Sequence, residues 1–536
     1  MCFAVGEVVF GAKWSFAMSS LYILLQDQLN QAQKEESKLK ARNSKGAKIQ
    51  TPKTGKAITN AYEQFRNAAE YAEEHLLLER AIRRFFVRSI FLNQPDLENI
   101  GEEIVVELTH AGYIENNSVS TETADYIQKL AEKYYGVYKN LRKSRIDKDT
   151  AENWVLDLLS VETESQFSPH GRVAAVAYTA YAYYLKLLPK KKLRLTRKEH
   201  QRFELSLFIA IHLAILKSDT AIIRHQLYQM HGQNSAKTRE FIEFNRSLDA
   251  VISDGFTHRL KRVVSRYGAP WRILKEMAEE RSDMGNLLKD KEVFMTGYQQ
   301  QVTQEYRRIK KRLSLGITKS VIFLFMTKVF IGLAIEIPYD LWVLGHIAYL
   351  PLVINLLFPP LYIASLGFVI RMPTQANARA LNNSMEQILF SEDVPSYGKI
   401  KLGPRYLSPT AQLAYAALFM IPLWIIVVIL SLLGFNIMQG LIFFVFLSTA
   451  SFLGFRLSKI VREMELIIKQ NGFLTAIADF FYIPFIIIGQ WLTRKYAKLN
   501  LAGAFLDMAI ELPLKSFIRL IRQWTRFINE RRDEIY

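Results

Sequence analysis

A single cysteine, Cys2, stands in 536 residues. Without a second thiol the chain forms no internal disulfide and assembles no thiolate metal site, so its fold needs no oxidising compartment. Catalytic signatures are missing too: there is no GxSxG elbow, no kinase motif set, no Walker sequence and no dinucleotide fingerprint. Gly55-Lys56 is not a phosphate loop, because Gly46 lies nine residues upstream rather than five and Ala57 replaces the Ser or Thr that would hold magnesium. No HExxH occurs. The spacings His75/Glu79 and His200/Glu204, with His212 further along the same helix, read as salt pairs and core histidines. No cofactor or metal is expected, and an enzyme is the least supported class.

Period-2 alternation is nearly absent as well, which excludes a sheet-based core and predicts an all-α protein. Glu7 and Lys13 interrupt the apolar residues of segment 1–32 and no cationic leader precedes them, so it reads as an apolar or amphipathic helix rather than a signal peptide. Segment 33–56 is polar and basic, with the composition of a flexible linker. From 57 to 306 apolar residues recur at three- and four-residue steps, as in Ala61, Phe65, Ala68, Ala72 and Leu76. That pattern predicts a soluble helical domain. Ser120, Asp147 or Asp149, and Pro270 mark helix starts. Val173–Leu188 and Leu205–Leu216 are apolar enough for a membrane but too short for one, so buried core helices are expected. Between them Lys190, Lys191, Lys192, Arg194, Arg197 and Lys198 form a cationic cluster that could hold an anion or lipid headgroup, or could be a solvated loop.

The longest absence is of charge. From Leu341 to Ile370 there is no Lys, Arg, Asp or Glu, and the apolar run Ile317–Ile337 precedes it, separated from it by the Pro-containing polar break Pro338-Tyr339-Asp340. Each run is long enough to cross about 30 Å of hydrocarbon as a helix. Residues 307–470 are therefore expected to carry four spans, near 317–337, 344–370, 413–435 and 437–455. From Arg307 onward there are 25 Lys and Arg against 13 Asp and Glu, or +12 of the chain's net +18, placed mostly between spans. A basic membrane face accounts for this better than a nucleic-acid groove. Arg307, Arg308, Lys310, Lys311 and Arg312 before the first span predict a cytoplasmic N-terminal domain in a multi-pass cell-membrane protein, with both termini inside.

Segment 471–536 contains the apolar stretch Phe473–Ile488, interrupted by Asp479 and Pro484 and read as re-entrant or interfacial. A basic amphipathic helix follows, with Lys515, Arg519, Arg522 and Arg526 opposite Phe517, Ile521 and Trp524, suited to anionic inner-leaflet lipid. Ala334-Ile335-Glu336-Ile337-Pro338 and Ala509-Ile510-Glu511-Leu512-Pro513 share a pattern that reads as a common helix stop. Lys328, mid-span, is predicted to face the bundle with Asn355 level with it across the hairpin, Glu336 being roughly 12 Å further along the axis and too far to pair. Two function classes fit. One is a membrane-anchored cytoplasmic scaffold that recruits a protein partner or organises the inner face. The other is a transporter or channel with a polar site around Lys328, supported by the ionisable residues Lys319, Lys328, Glu336 and Asp479 inside apolar runs and by proline-broken helices, which with four spans would need a homo-oligomer.

Overall fold

The computed structural model describes residues 21–44, 46–51, 60, 63, 74–92, 97–190, 193, 195–232, 237–391, 402, 408–466 and 473–499. Among these the chain is helical throughout, apart from one isolated bridge between Lys48 and Ser120. It divides into two units: Met1–Gln301 with Leu381–Gly403, and Val302–Ala380 with Pro404–Tyr536.

The first unit contains α1 (Leu21–Ser44), α2 (Leu77–Phe86), α3 (Ile100–Ala111), α4 (Thr121–Lys143), α5 (Lys148–Glu164), α6 (Gly171–Leu187), α7 (Arg197–Ile211), α8 (Thr220–Met230), α9 (Thr238–Ile252), α10 (Gly255–Tyr267), α11 (Ala269–Glu280) and the short α12 (Met284–Leu287). Their starts follow from local chemistry. Ser120 and Asp147 accept from the amides of Thr123 and Thr150, Thr196 and Glu199 form a reciprocal capping box, and Pro270 opens α11. The two apolar segments lie in the core, where Tyr183 of α6 packs on fully buried Trp271 at 5.6 Å and Phe208 of α7 on Tyr181 at 5.9 Å. α1 corrects the linker reading for its first half. The helix continues to Ser44 because Leu21, Leu25, Leu29, Ala32 and Glu36 keep one buried stripe at helical spacing, and Glu36 accepts from Arg172 at 2.7 Å. Part of the segment after the second predicted span also belongs to this unit: Leu381, Met385, Ile388 and Leu389 are buried, and Phe390 meets Phe294 at 5.9 Å.

The second unit is built on α13 (Lys291–Ile331, from its residue Val302 on), a π turn (Gly332–Glu336), α14 (Ile337–Val343), α15 (Tyr349–Val369), the start of α16 (Gln375–Phe390), α17 (Pro409–Leu432), α18 (Ile437–Arg462) and α19 (Phe473–Leu499). Among the described residues four helices are long and apolar enough to cross a membrane: Lys291–Val343, α15, Gln412–Leu432 and α18. Pro338-Tyr339-Asp340 does not break the first of them, as the sequence suggested. Pro338 follows directly on the π turn inside a helix that continues to Val343, and the chain turns only at Leu344–Ala348, with Gly345 at φ +72°. The outer faces are apolar, with Trp342 at 86 % and Leu432 at 83 % exposure.

α18 is the centre of this unit. Ile442, Phe446 and Ala450 pack against Leu324 of α13 and Ile363 of α15, while Phe443 and Leu447 pack against Leu430 of α17 and Phe485 of α19. The stretch predicted to be re-entrant or interfacial forms one unbroken helix, α19, antiparallel to α18. A Cβ on Gly489 would fall 2.1 Å from the carbonyl oxygen of Ser448, so only glycine permits this approach. Tyr482 donates to the Ser451 carbonyl at 2.7 Å. At the basic end of the bundle Asn377 donates to Tyr306 at 2.7 Å and to the Met464 carbonyl at 2.8 Å, and accepts from the Leu466 amide at 2.8 Å.

Candidate functional site, a buried polar clasp

Between the apolar layers and the turn end, the second unit encloses Lys328, Glu336, Asp340, Asn355 and Gln439, none more than 1 % exposed. The Lys328 ammonium pairs with Glu336 Oε1 and lies 4.7 Å from the centre of the Phe446 ring. Asn355 Nδ2 donates to the same Oε1 at 3.2 Å and to the Gln439 carbonyl at 3.1 Å. Asp340 accepts from Gln439 Nε2 and Asn436 Nδ2, both at 2.8 Å, and from the Ala348 amide at 3.3 Å. Three helices and two turns are thereby joined through polar atoms alone. In hydrocarbon, where water cannot compete, such bonds have no alternative partner, which is why polar groups there converge.

Local structure explains each position. In a regular α-helix, residues eight apart lie about 80° apart around the axis and roughly 12 Å along it. The π turn absorbs one extra residue, so Glu336 takes the place of the seventh residue after Lys328, about 20° from it and nearer by about 1.5 Å. The two side chains then reach each other along one face. The distance argument that excluded this pair is corrected by that turn. Asp340 follows Glu336 by four residues and shares its face. Gln439 is fixed by the N-terminus of α18, where Asn436 accepts from the Gln439 amide at 2.8 Å and Gln439 Oε1 from the Asn436 amide at 3.2 Å.

Of the residues singled out from the sequence, the structure brings together Lys328, Glu336 and Asn355, with Asn355 bonded to Glu336 rather than to Lys328. Asp479 lies on α19, but its side chain falls outside the described residues. Arg308 pairs with Glu305 at 2.8 Å, and Lys310 and Lys311 are exposed. In the cationic cluster of the first unit, Lys190 pairs with Glu204 at 2.6 Å, Arg197 and Lys198 are exposed at the start of α7, and Lys191, Lys192 and Arg194 lie outside the described residues. So do Lys515, Arg519, Arg522 and Arg526. Asp340, Gln439 and Phe446 were not singled out. The Asn-x-x-Gln signature at 436–439 was the available signal, since a capping box fixes where its second side chain points. Comparison of the chain with family models, with curated proteins and with solved structures finds no match.

Proposed function

We propose that the chain is a multi-pass integral membrane protein whose spans hold the helical unit at the inner membrane face as a scaffold. The observation that carries this reading is the enclosure of the clasp: its three charged residues, Lys328, Glu336 and Asp340, are at most 1 % exposed, and its carboxylates are bonded to the neighbouring helices and turns. A permeation pathway would have to leave some of these groups facing water. The size of the helical unit supports a role in presenting a surface to a protein partner, and the basic residues Lys310, Lys311 and Arg312, with the cationic segment 515–526, support contact with anionic inner-leaflet lipid.

The cation cluster at 307–312 supports an inner helical unit, with the turns at 344–348 and 433–436 outside. The antiparallel course of α19 alone would carry the following residues outward, whereas Arg494, Lys495 and the cations of segment 515–532 favour the inner side. We assign the C-terminus to the inside. Cysteine labelling of intact cells, in a Cys2→Ser background, tests this: Asn436→Cys should react with an impermeant reagent, while Tyr397→Cys and Tyr536→Cys should react only after permeabilisation. The transport reading retains one supporting observation, two clasp oxygens without a donor. Proteoliposomes of the full chain separate the readings. The scaffold keeps an imposed proton or sodium gradient intact, and a leak abolished by Lys328→Met contradicts it.

A further inference from the structure

The clasp contains one cation and two carboxylates. Among the described residues the elements around it bring no second lysine or arginine: α15 and α17 carry no charged residue, Lys319 of α13 and His346 of the turn before α15 are exposed, with His346 Nδ1 at 3.0 Å from the Leu344 carbonyl, and Arg456, Lys459 and Arg462 of α18 lie at its opposite end. On α19 the groups outside its terminal Arg494, Lys495 and Lys498 are Tyr482, which donates to Ser451, and Asp479. Asp340 is satisfied by three donors. Glu336 is not. Its Oε1 receives both Lys328 and Asn355, its Oε2 receives nothing, and Asn355 Oδ1 receives nothing either. Both residues are 0 % exposed, so bulk solvent does not reach these atoms. Two donorless acceptors on bonded neighbours, together with one surplus negative charge, are a costly combination in a low-dielectric setting.

A single proton removes both costs. We propose that the clasp is a binding site for one proton, held as the Glu336 carboxylic acid on Oε2 and donated to Asn355 Oδ1. The O–H bond forms on Glu336, the proton leaves a hydronium ion of the solvent, and no other covalent bond changes. Glu336 becomes neutral, and the clasp is left with one charge of each sign, the Lys328 ammonium beside the Glu336 acid and the Asp340 carboxylate among its three donors. The acid and the amide then form a cyclic pair, of which the structure shows the Nδ2-to-Oε1 half at 3.2 Å. A metal cation would answer the charge count as well, but two free oxygens are few for its coordination shell. Loss of the proton restores the surplus charge beside Asn355, the residue that ties α15 to α18, so the site makes the turn end of the bundle sensitive to proton binding. The proposal is independent of the scaffold reading.

Infrared difference spectroscopy of the full-length protein in nanodiscs, with carbon-13-labelled glutamate carboxyls, tests it. The expected result is a labelled protonated-carboxyl C=O band at neutral pH, part of which disappears in Glu336→Gln and is unaffected when choline chloride replaces sodium chloride. Glu336→Gln, which mimics the protonated acid, should melt with the wild type, while Glu336→Ala should melt lower. A band identical in wild type and Glu336→Gln overturns the proposal, as does its absence throughout the pH range in which the protein stays folded. Heat of sodium binding that Glu336→Gln abolishes assigns a metal cation instead and also overturns it. Should Glu336→Ala fail to fold, the spectra of the wild type and Glu336→Gln still decide.

Discussion

The two units each bury a polar network, and the two are balanced differently. In the helical unit Arg224, 2 % exposed, donates to Asp157 at 2.8 Å, to Asp249 at 2.6 Å and to Asn245, while Arg83 binds the other oxygen of Asp157 and Trp154 the other oxygen of Asp249. Two guanidiniums thus meet two carboxylates, and each carboxylate oxygen has a donor. In the clasp one ammonium stands against two carboxylates and pairs with only one of them, Glu336, whose second oxygen is left over. Arginine supplies five donors in a planar fork and suits a network that stays ionised, whereas a lysine is a single movable charge. The arginine network of the helical unit therefore has every carboxylate oxygen served, whereas the clasp keeps one carboxylate oxygen without a donor.

The largest expected effect lies in the arginine network. Arg224→Met leaves Asp157 and Asn245 short of partners in the core and should cost about 3–5 kcal/mol, read from denaturation of the full chain by far-ultraviolet circular dichroism. A loss below about 1 kcal/mol would mean that the network is not structural. In the membrane unit Lys328→Met removes the only cation of the clasp and should cost about 3 kcal/mol in mixed-micelle unfolding, with part of it recovered in Lys328→Met/Asp340→Asn. No recovery in the double variant would separate Lys328 from Asp340 energetically.

The helical unit also holds an acid whose charge is suppressed, which sharpens the contrast. Burial, with Asp219 close by, pushes the Glu79 carboxyl up from 4.5 to about 8, while Ser160 Oγ donates to it at 2.5 Å. A folded value above the unfolded one means that the native state binds the extra proton, so stability from this group is fully present below pH 4.5 and is lost as pH rises toward 8. Burial drives His212 the other way, from 6.5 to about 3, so its contribution is present above pH 6.5 and is lost on acidification. Comparing Glu79→Gln with wild type isolates the first slope. The variant should gain about 2–3 kcal/mol relative to wild type between pH 5 and 7, measured by urea denaturation at each pH, and parallel curves would contradict the assignment. The smallest effect is steric: Gly489→Ala forces α19 off the Ser448 carbonyl and should cost about 1–3 kcal/mol in mixed-micelle unfolding, whereas Gly440→Ala, with open space around it, should cost no more than its helix neighbours.

Much of this architecture is legible in the residues. The uncharged run 341–370, the cations at 307–312 and the three- and four-residue periodicity of 57–306 are enough to separate a helical unit from four membrane-length helices. That Lys328 turns inward follows from the cost of an ammonium in hydrocarbon. Its partner was not legible, because the π turn at Gly332–Glu336 rotates everything after it and leaves no mark in an apolar pattern. The helix through Pro338 was misread as a break because a proline that follows a π turn inside a continuing helix and a proline at a helix end look alike without knowing which residues follow in helical conformation. Polar residues 33–44 were misread because a helix packed by one narrow stripe, ending in Ala32 and Glu36, has little apolar content to detect. The union of Asp340 with Asn436 and Gln439 joins residues nearly a hundred positions apart, which no local pattern reports.

The central claim is that a polar clasp closes the turn end of a membrane-embedded bundle, and cross-linking in native membranes tests it most directly. In a Cys2→Ser background, Asp340→Cys paired with Asn436→Cys should be joined by a short bifunctional thiol reagent, because the ends of the two native side chains meet at 2.8 Å, while Asp340→Cys paired with Ser458→Cys, at the far end of α18, should not. Absence of the first cross-link in protein that still inserts into the membrane, or equal yield from both pairs, would contradict the clasp.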